Sequence, residues 1–62
     1  MIAVARAPAT LFAGRNRLEA LAELAAGDTF EVLELAGSHA WGVAPGAGLV
    51  GYIDRAVLDR AA

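Results

Sequence analysis

The chain has 62 residues, no cysteine and a formal charge of −2 at pH 7, with five arginines and no lysine. Its length allows one small domain with a thin core, and the lack of cysteine excludes disulfides and thiolate metal sites. A negative net charge with scattered arginines argues against a nucleic-acid-binding surface and against a polybasic membrane anchor. We therefore expect a single domain over residues 1–62, with its core at about 10–58.

The sequence predicts neither a membrane span nor a signal peptide. No apolar run approaches the ~20 residues that a spanning helix requires, and residues 1–5 are short and lack a basic region. Two compartments are compatible with the sequence. The first is the cytoplasm, and the second is the cell envelope if a targeting segment lies outside this sequence.

The first part of the chain contains short segments with weak patterns. Residues 1–8 are small and apolar and predict either an opening strand or a tail. Residues 10–12 have strand character, and the polar residues 15–17 predict a turn or an exposed loop tip.

Residues 18–26 are ambiguous between helix and strand. Leu18, Leu21, Ala22 and Ala25 recur at helical spacing, and the local composition favours helix. A segment under about 12 residues is nevertheless marginal as an isolated helix. We expect a short helical turn or an irregular arm that leads into a strand.

From Gly27 onward the pattern is one of short strands separated by turns. The predicted strands are 29–35, 40–44, 49–53 and 57–58, and the first of them is weakly broken at Val32-Leu33. The predicted turns are 37–39 and 45–48. A 3₁₀ turn is predicted at 54–56 and a tail at 59–62. This spacing predicts an all-β fold, a small, partly open barrel of about five short strands with room for one short helical turn.

Three motifs stand in a fixed order in this half of the chain. They are GDTFEVL (27–33), AWGVA (40–44) and GLVGYI (48–53). Together they resemble the strands of a bacterial Src-homology-3-like barrel, and the similarity extends over about 10–58. The nearest variant is the barrel that precedes NlpC-type cell-wall cysteine peptidase domains. That resemblance implies a non-catalytic module that recognises cell-wall peptide stems or orients an adjacent peptidase domain.

The chain departs from the eukaryotic peptide-binding version of this family at two positions. Where that version has a proline and, three residues later, a tyrosine, this chain has Asp54 and Val57. A polyproline ligand requires a groove lined with aromatic side chains. Because one aromatic wall is lost, we do not expect polyproline recognition.

We predict four candidate ligand-binding residues, Trp41, Tyr52, Phe12 and Asp54, of which the resemblance places Trp41 and Phe12 at the ligand groove. Trp41 is either at the edge of a ligand groove or the core aromatic of the barrel, and both interpretations stay open. Alternation predicts that Ile53 is buried and Tyr52 exposed. For Phe12 the sequence favours burial in the core over a place in the groove.

Catalysis is not expected. Ser38 and His39 are neighbours in a predicted turn, where a nucleophile–base pair rarely reaches the geometry it needs. With one histidine and no cysteine the composition argues against a metal site, and we expect no cofactor.

Two alternatives to a ligand-binding module remain. The first is a structural domain that packs against a partner, as a homodimer or beside a catalytic domain, because 16 alanines leave little core volume in an apolar chain. The second is an all-helical or mixed interaction peptide built on residues 18–26. A spectrum dominated by helix would favour the latter.

Overall fold

The computed structural model describes residues 1–14 and 18–60. In this part of the chain all regular structure is β except for one 3₁₀ turn, Arg55–Val57. The seven strands are β1 (Ile2–Ala5), β2 (Ala9–Phe12), β3 (Ala20–Leu24), β4 (Thr29–Ala36), β5 (His39–Ala44), β6 (Leu49–Asp54) and β7 (Leu58–Arg60). The predicted all-β class is confirmed, and the alternative of a helical peptide is wrong.

The strands form one antiparallel sheet that curls into a partly open barrel. Its order is β3-β2-β6-β5-β4-β1-β7, and among the described residues the two end strands are not hydrogen-bonded to each other. The sheet has seven strands rather than about five because β1 and β3 are both paired. The polar turn predicted at 15–17 lies outside the described residues.

The chain begins with a strand rather than a tail. β1 lies between β4 and β7, and its inward residues Ala3 and Ala5 are each only 1% exposed. The tail predicted at 59–62 is wrong for Asp59 and Arg60, which belong to β7, while Ala61 and Ala62 lie outside the described residues.

β3 corrects the helical interpretation of residues 18–26. The strand pairs with β2, and its last residue, Leu24, is buried opposite Ala9. Leu18, the first residue of the helical pattern, precedes the strand and is 83% exposed. A bulge at Leu21 explains the misleading pattern, because it interrupts strict alternation.

The strands from Thr29 to Asp54 follow the sequence pattern closely. The break predicted at Val32-Leu33 is a bulge, since the partner of Glu34 is Trp41 while that of Val32 is Gly42. Leu33 is the additional residue and is 53% exposed. The turn before β5 is shorter than predicted, because His39 already belongs to the strand.

The core is small and formed by both curled halves of the sheet. Its largest fully buried side chains are Phe30, Leu11 and Ile53. Two glycines allow strands to approach closely: a Cβ at Gly42 would lie 2.9 Å from the carbonyl carbon of Glu31, and one at Gly51 would lie 2.6 Å from the carbonyl oxygen of Phe12. At these two positions any side chain would collide with backbone.

The described residues contain no helix with the length and apolar character that crossing a membrane demands.

Candidate functional site

Three aromatic side chains form a row across three neighbouring strands. Trp41 on β5 is directly opposite Tyr52 on β6, and Tyr52 is in turn opposite Phe12 on β2. Residues opposite each other on antiparallel strands have their side chains on the same face, close enough to touch. We call these three residues the aromatic row.

The aromatic row lies on the outer face of the barrel. Trp41 stands between the buried Ala40 and Gly42, and Tyr52 stands between the buried Gly51 and Ile53. Since side chains alternate between the two faces of a strand, the aromatic rings point away from the core. All three row residues are half-buried rather than buried.

This placement shows which of the predicted site residues are buried in the core. Trp41 does not belong to the buried core, so the interpretation of Trp41 as the core aromatic is wrong. Burial of Phe12, which the sequence favoured, is also wrong, because Leu11 occupies the inward position on β2. Ile53 is buried and Tyr52 is half-buried and outward, as alternation predicted.

The fourth predicted site residue, Asp54, lies one step further along the same face. Asp54 is paired with His39 across β5 and β6. The His39 ring meets the Tyr52 ring edge-on, with the ring centroids 6.5 Å apart. His39 was predicted to be a loop residue, so its contact with the aromatic row was missed.

Asp54 also has a structural role. Its Oδ1 accepts a hydrogen bond of 3.1 Å from the backbone N–H of Ala56 and thereby caps the 3₁₀ turn. A short polar side chain at this position satisfies a backbone donor that the turn itself cannot pair.

Charged residues flank the aromatic row. Glu34 on β4 is opposite Trp41 and extends the row with a carboxylate. Away from the row, Glu23 and Asp28 line an acidic cleft of about 380 Å³ beside the turn before β6. Glu23 accepts a hydrogen bond from the hydroxyl of Thr10, and Asp28 accepts one from the backbone of Ala25.

A second cleft, which we call the arginine cleft, was not predicted. It has a volume of about 410 Å³ and adjoins Asp54; its lining residues are Arg6, Ser38, Asp54, Arg55, Ala56 and Leu58. These residues come from three separate parts of the chain. No local sequence pattern marks them, because only the pairing of the strands brings them together.

Ser38 and His39 do not form a tight pair. The Ser38 hydroxyl lies 3.4 Å from Nδ1 of His39 on an exposed turn. That distance exceeds the roughly 2.6–3.2 Å range expected for proton transfer between a nucleophile and its base. Among the described residues, no three potential metal ligands of the His, Cys, Asp or Glu type are grouped together.

Comparison of the chain with models of protein families, with curated proteins and with solved structures found no match.

Proposed function

We propose that this domain is a Src-homology-3-like, non-catalytic binding module that recognises cell-wall peptide stems, either alone or while orienting an adjacent peptidase domain. The observation that carries the proposal is the aromatic row, in which Trp41, Tyr52 and Phe12 lie side by side on the outer face. Half-buried aromatic rings on the outer face contribute less to stability than rings in the core would. Such rings supply large, rigid contact area for a ligand.

The charges around the aromatic row support a peptide as the ligand. Glu34 extends one end of the row with a carboxylate, and Arg55 lies in the cleft next to Asp54. A short peptide carries both an amine and a carboxylate, so it complements a face with separated charges of both signs. Polyproline fits less well, because Asp54 and Val57 replace ring-bearing residues.

Titration of muropeptides against the fluorescence of Trp41 tests the proposal, since Trp41 is the only tryptophan. We expect a saturable change with muropeptides and none with a proline-rich peptide of similar length. The variant Tyr52→Ala should weaken binding about tenfold, because stacking area is lost next to the reporter. Leu33→Ala is the matched control, since Leu33 is 53% exposed but lies on the bulge outside the row.

Two results would contradict peptide recognition. One is a Trp41 emission that no muropeptide perturbs at millimolar concentration. The other is equal weakening by Tyr52→Ala and Leu33→Ala, because a specific face should depend on the residues that form it.

A second candidate function is packing against a protein partner, as a homodimer or beside a catalytic domain. It is favoured by a further row on the outer face, where Ile2, Val43 and Val50 are aligned with Glu31 between them. Ile2 is 46% and Val50 is 49% exposed. Exposed apolar side chains in a contiguous patch are typical of interfaces.

Light scattering separates the homodimer from the monomer. If the packing function is correct, the mass should double at high concentration, and Val50→Glu should restore the monomer. A monomer at every concentration would contradict a homodimer, and an unchanged mass in the Val50→Glu variant would place the interface elsewhere.

A further inference from the structure

The arginine cleft is held in shape by backbone hydrogen bonds at both ends of the 3₁₀ turn. At the start of the turn, the N–H of Arg55 donates to the carbonyl of Ser38 over 2.9 Å. At its end, the carbonyl of Val57 accepts a 2.8 Å bond from the N–H of Arg6. These two bonds anchor the turn to Ser38 at its start and to Arg6 at its end, and both arginines line the same cleft.

Arg55 keeps hydrogen-bonding capacity within the cleft. Its Nη1 donates to the carbonyl of Gly37 over 3.3 Å, which orients the guanidinium and uses one of its several N–H donors. The remaining donors of Arg55 form a planar fork that matches the geometry of a carboxylate.

Arg6 is only weakly engaged by its acidic neighbour. The distance between its Nη1 and Oδ1 of Asp59 is 3.9 Å, and both side chains are 60% exposed. An ion pair of this length in contact with solvent contributes little. A ligand carboxylate can therefore recruit Arg6 at a small cost.

The charges at the arginine cleft favour a singly charged ligand. Asp54 lines the cleft and Asp59 lies beside Arg6, so the two guanidinium charges are balanced by two carboxylates. Asp54 repels any anion, and it repels a dianion such as hydrogen phosphate about twice as strongly as a monoanion at the same distance. A planar monoanion gains from the geometry of the hydrogen bonds instead.

We propose that the arginine cleft binds the free terminal carboxylate of a short peptide whose remaining part lies on the aromatic row. This inference rests on the proposed peptide-binding function. The connection between the two surfaces is Asp54, which lines the cleft and is paired with His39, whose ring contacts Tyr52. A peptide that leaves the row at Tyr52 and continues along β6 meets Asp54 at the cleft.

The first test uses acetate alone and does not depend on a peptide. Acetate is titrated at constant ionic strength while the side-chain Nε–H resonances of the arginines are followed by nuclear magnetic resonance. We expect saturable shifts at Arg6 and Arg55, whereas Arg60 on β7, which lies outside the cleft, should not respond. Equal, linear drift of all three resonances would overturn the site, and a stronger response to phosphate than to acetate would overturn its assignment to a carboxylate.

The second test compares two peptides of identical sequence, one with a free carboxylate and one with a terminal amide. Fluorescence of Trp41 reports binding of both. The free acid should bind about tenfold more tightly than the amide, because a charged hydrogen-bonded pair is lost in the amide. Arg55→Gln and Arg6→Gln should remove this preference, and Arg60→Gln should preserve it.

Asp59→Asn serves as a matched control for Arg6. It removes the acidic neighbour but keeps the guanidinium, so the preference for the free acid should persist or increase. If Asp59→Asn removes the preference as Arg6→Gln does, the ion pair rather than the guanidinium is responsible, and the proposal is wrong.

The outcomes separate the two proposals. Equal affinity for the acid and the amide would overturn the carboxylate site and leave the peptide-binding face intact. Absence of binding by both peptides would overturn the peptide-binding function together with this assignment of its ligand.

Discussion

The two faces of the hairpin formed by β5 and β6 have opposite compositions. Its inner face carries mainly small residues, which are Ala40, Gly42, Ala44 and Gly51; of its two large side chains, Ile53 is fully buried and Leu49, at the end of the hairpin, is 37% exposed. Its outer face carries the large ones, which are His39, Trp41, Val43, Val50 and Tyr52. In a typical half-exposed sheet the large apolar residues face the core.

The close approach of the backbones explains this inversion. The carbonyl of Glu31 lies against Gly42, and that of Phe12 lies against Gly51, so the tightly curled strands leave no room for inner side chains there. Core volume is supplied by Phe30 and Leu11 from other strands. The aromatic residues of the hairpin are consequently placed outside, where packing does not require them.

The largest expected effect comes from adding one methyl group to the inner face. Gly42→Ala places a Cβ into the carbonyl group of Glu31, and neither backbone can move without breaking the pairing of β4 and β5. We expect a loss of about 4 kcal/mol or more, comparable with the whole stability of a domain of this size. Chemical denaturation or circular dichroism measures it.

Gly46→Ala is the matched control for this prediction. Gly46 lies in the exposed turn before β6, and an added Cβ there has nothing within 4 Å. Its free energy of unfolding should change by less than about 0.5 kcal/mol. A Gly42→Ala variant as stable as Gly46→Ala would refute the explanation of the inverted hairpin.

The next largest loss of stability is expected on β2, where the neighbours Leu11 and Phe12 face opposite sides of the sheet. Leu11 is fully buried, and Leu11→Ala should destabilise by about 2–5 kcal/mol through lost burial and the resulting cavity. Phe12 follows directly but faces outward, so Phe12→Ala should cost about 1 kcal/mol despite the larger side chain. Urea denaturation of both variants measures the difference, and equal losses would mean that Phe12 belongs to the core.

The smallest effect concerns the cap of the 3₁₀ turn. Asp54→Ala removes the acceptor for the N–H of Ala56 and should cost about 0.5–1 kcal/mol. Asp54→Asn retains an acceptor oxygen and should recover most of that loss. If both variants are as stable as the parent chain in thermal unfolding, the cap contributes nothing to the stability of the domain.

The strands from Thr29 to Asp54 could be predicted because each signal is local. Alternation, the bulge at Leu33 and the turn before β6 are all encoded in adjacent residues. The buried position of Ile53 beside an outward Tyr52 follows from the same alternation.

The strand β3 could not be predicted, because what holds it is not local. Its alanines, leucines and glutamates favour helix in isolation, but pairing with β2 and burial of Leu24 outweigh that preference. The bulge at Leu21 additionally disrupts the alternation that would have indicated a strand.

The candidate site likewise has features that local sequence predicts and features that depend on distant strands. That Tyr52 faces outward could be read from its own strand, whereas the alignment of Phe12 with Tyr52 depends on a pairing between distant segments. The arginine cleft is the extreme case, since Arg6 and Arg55 are far apart in sequence and meet only through the topology of the sheet.

The most direct test of the account is a residue-by-residue map of chemical shifts during a muropeptide titration of the isotope-labelled protein. We expect the largest shifts in the side chains of Trp41, Tyr52 and Phe12, whereas the resonances of the neighbouring inward residues Leu11 and Ile53 should change little. Shifts spread evenly over both faces, or none at millimolar muropeptide, would contradict the claim that the outer aromatic row is a peptide-binding face.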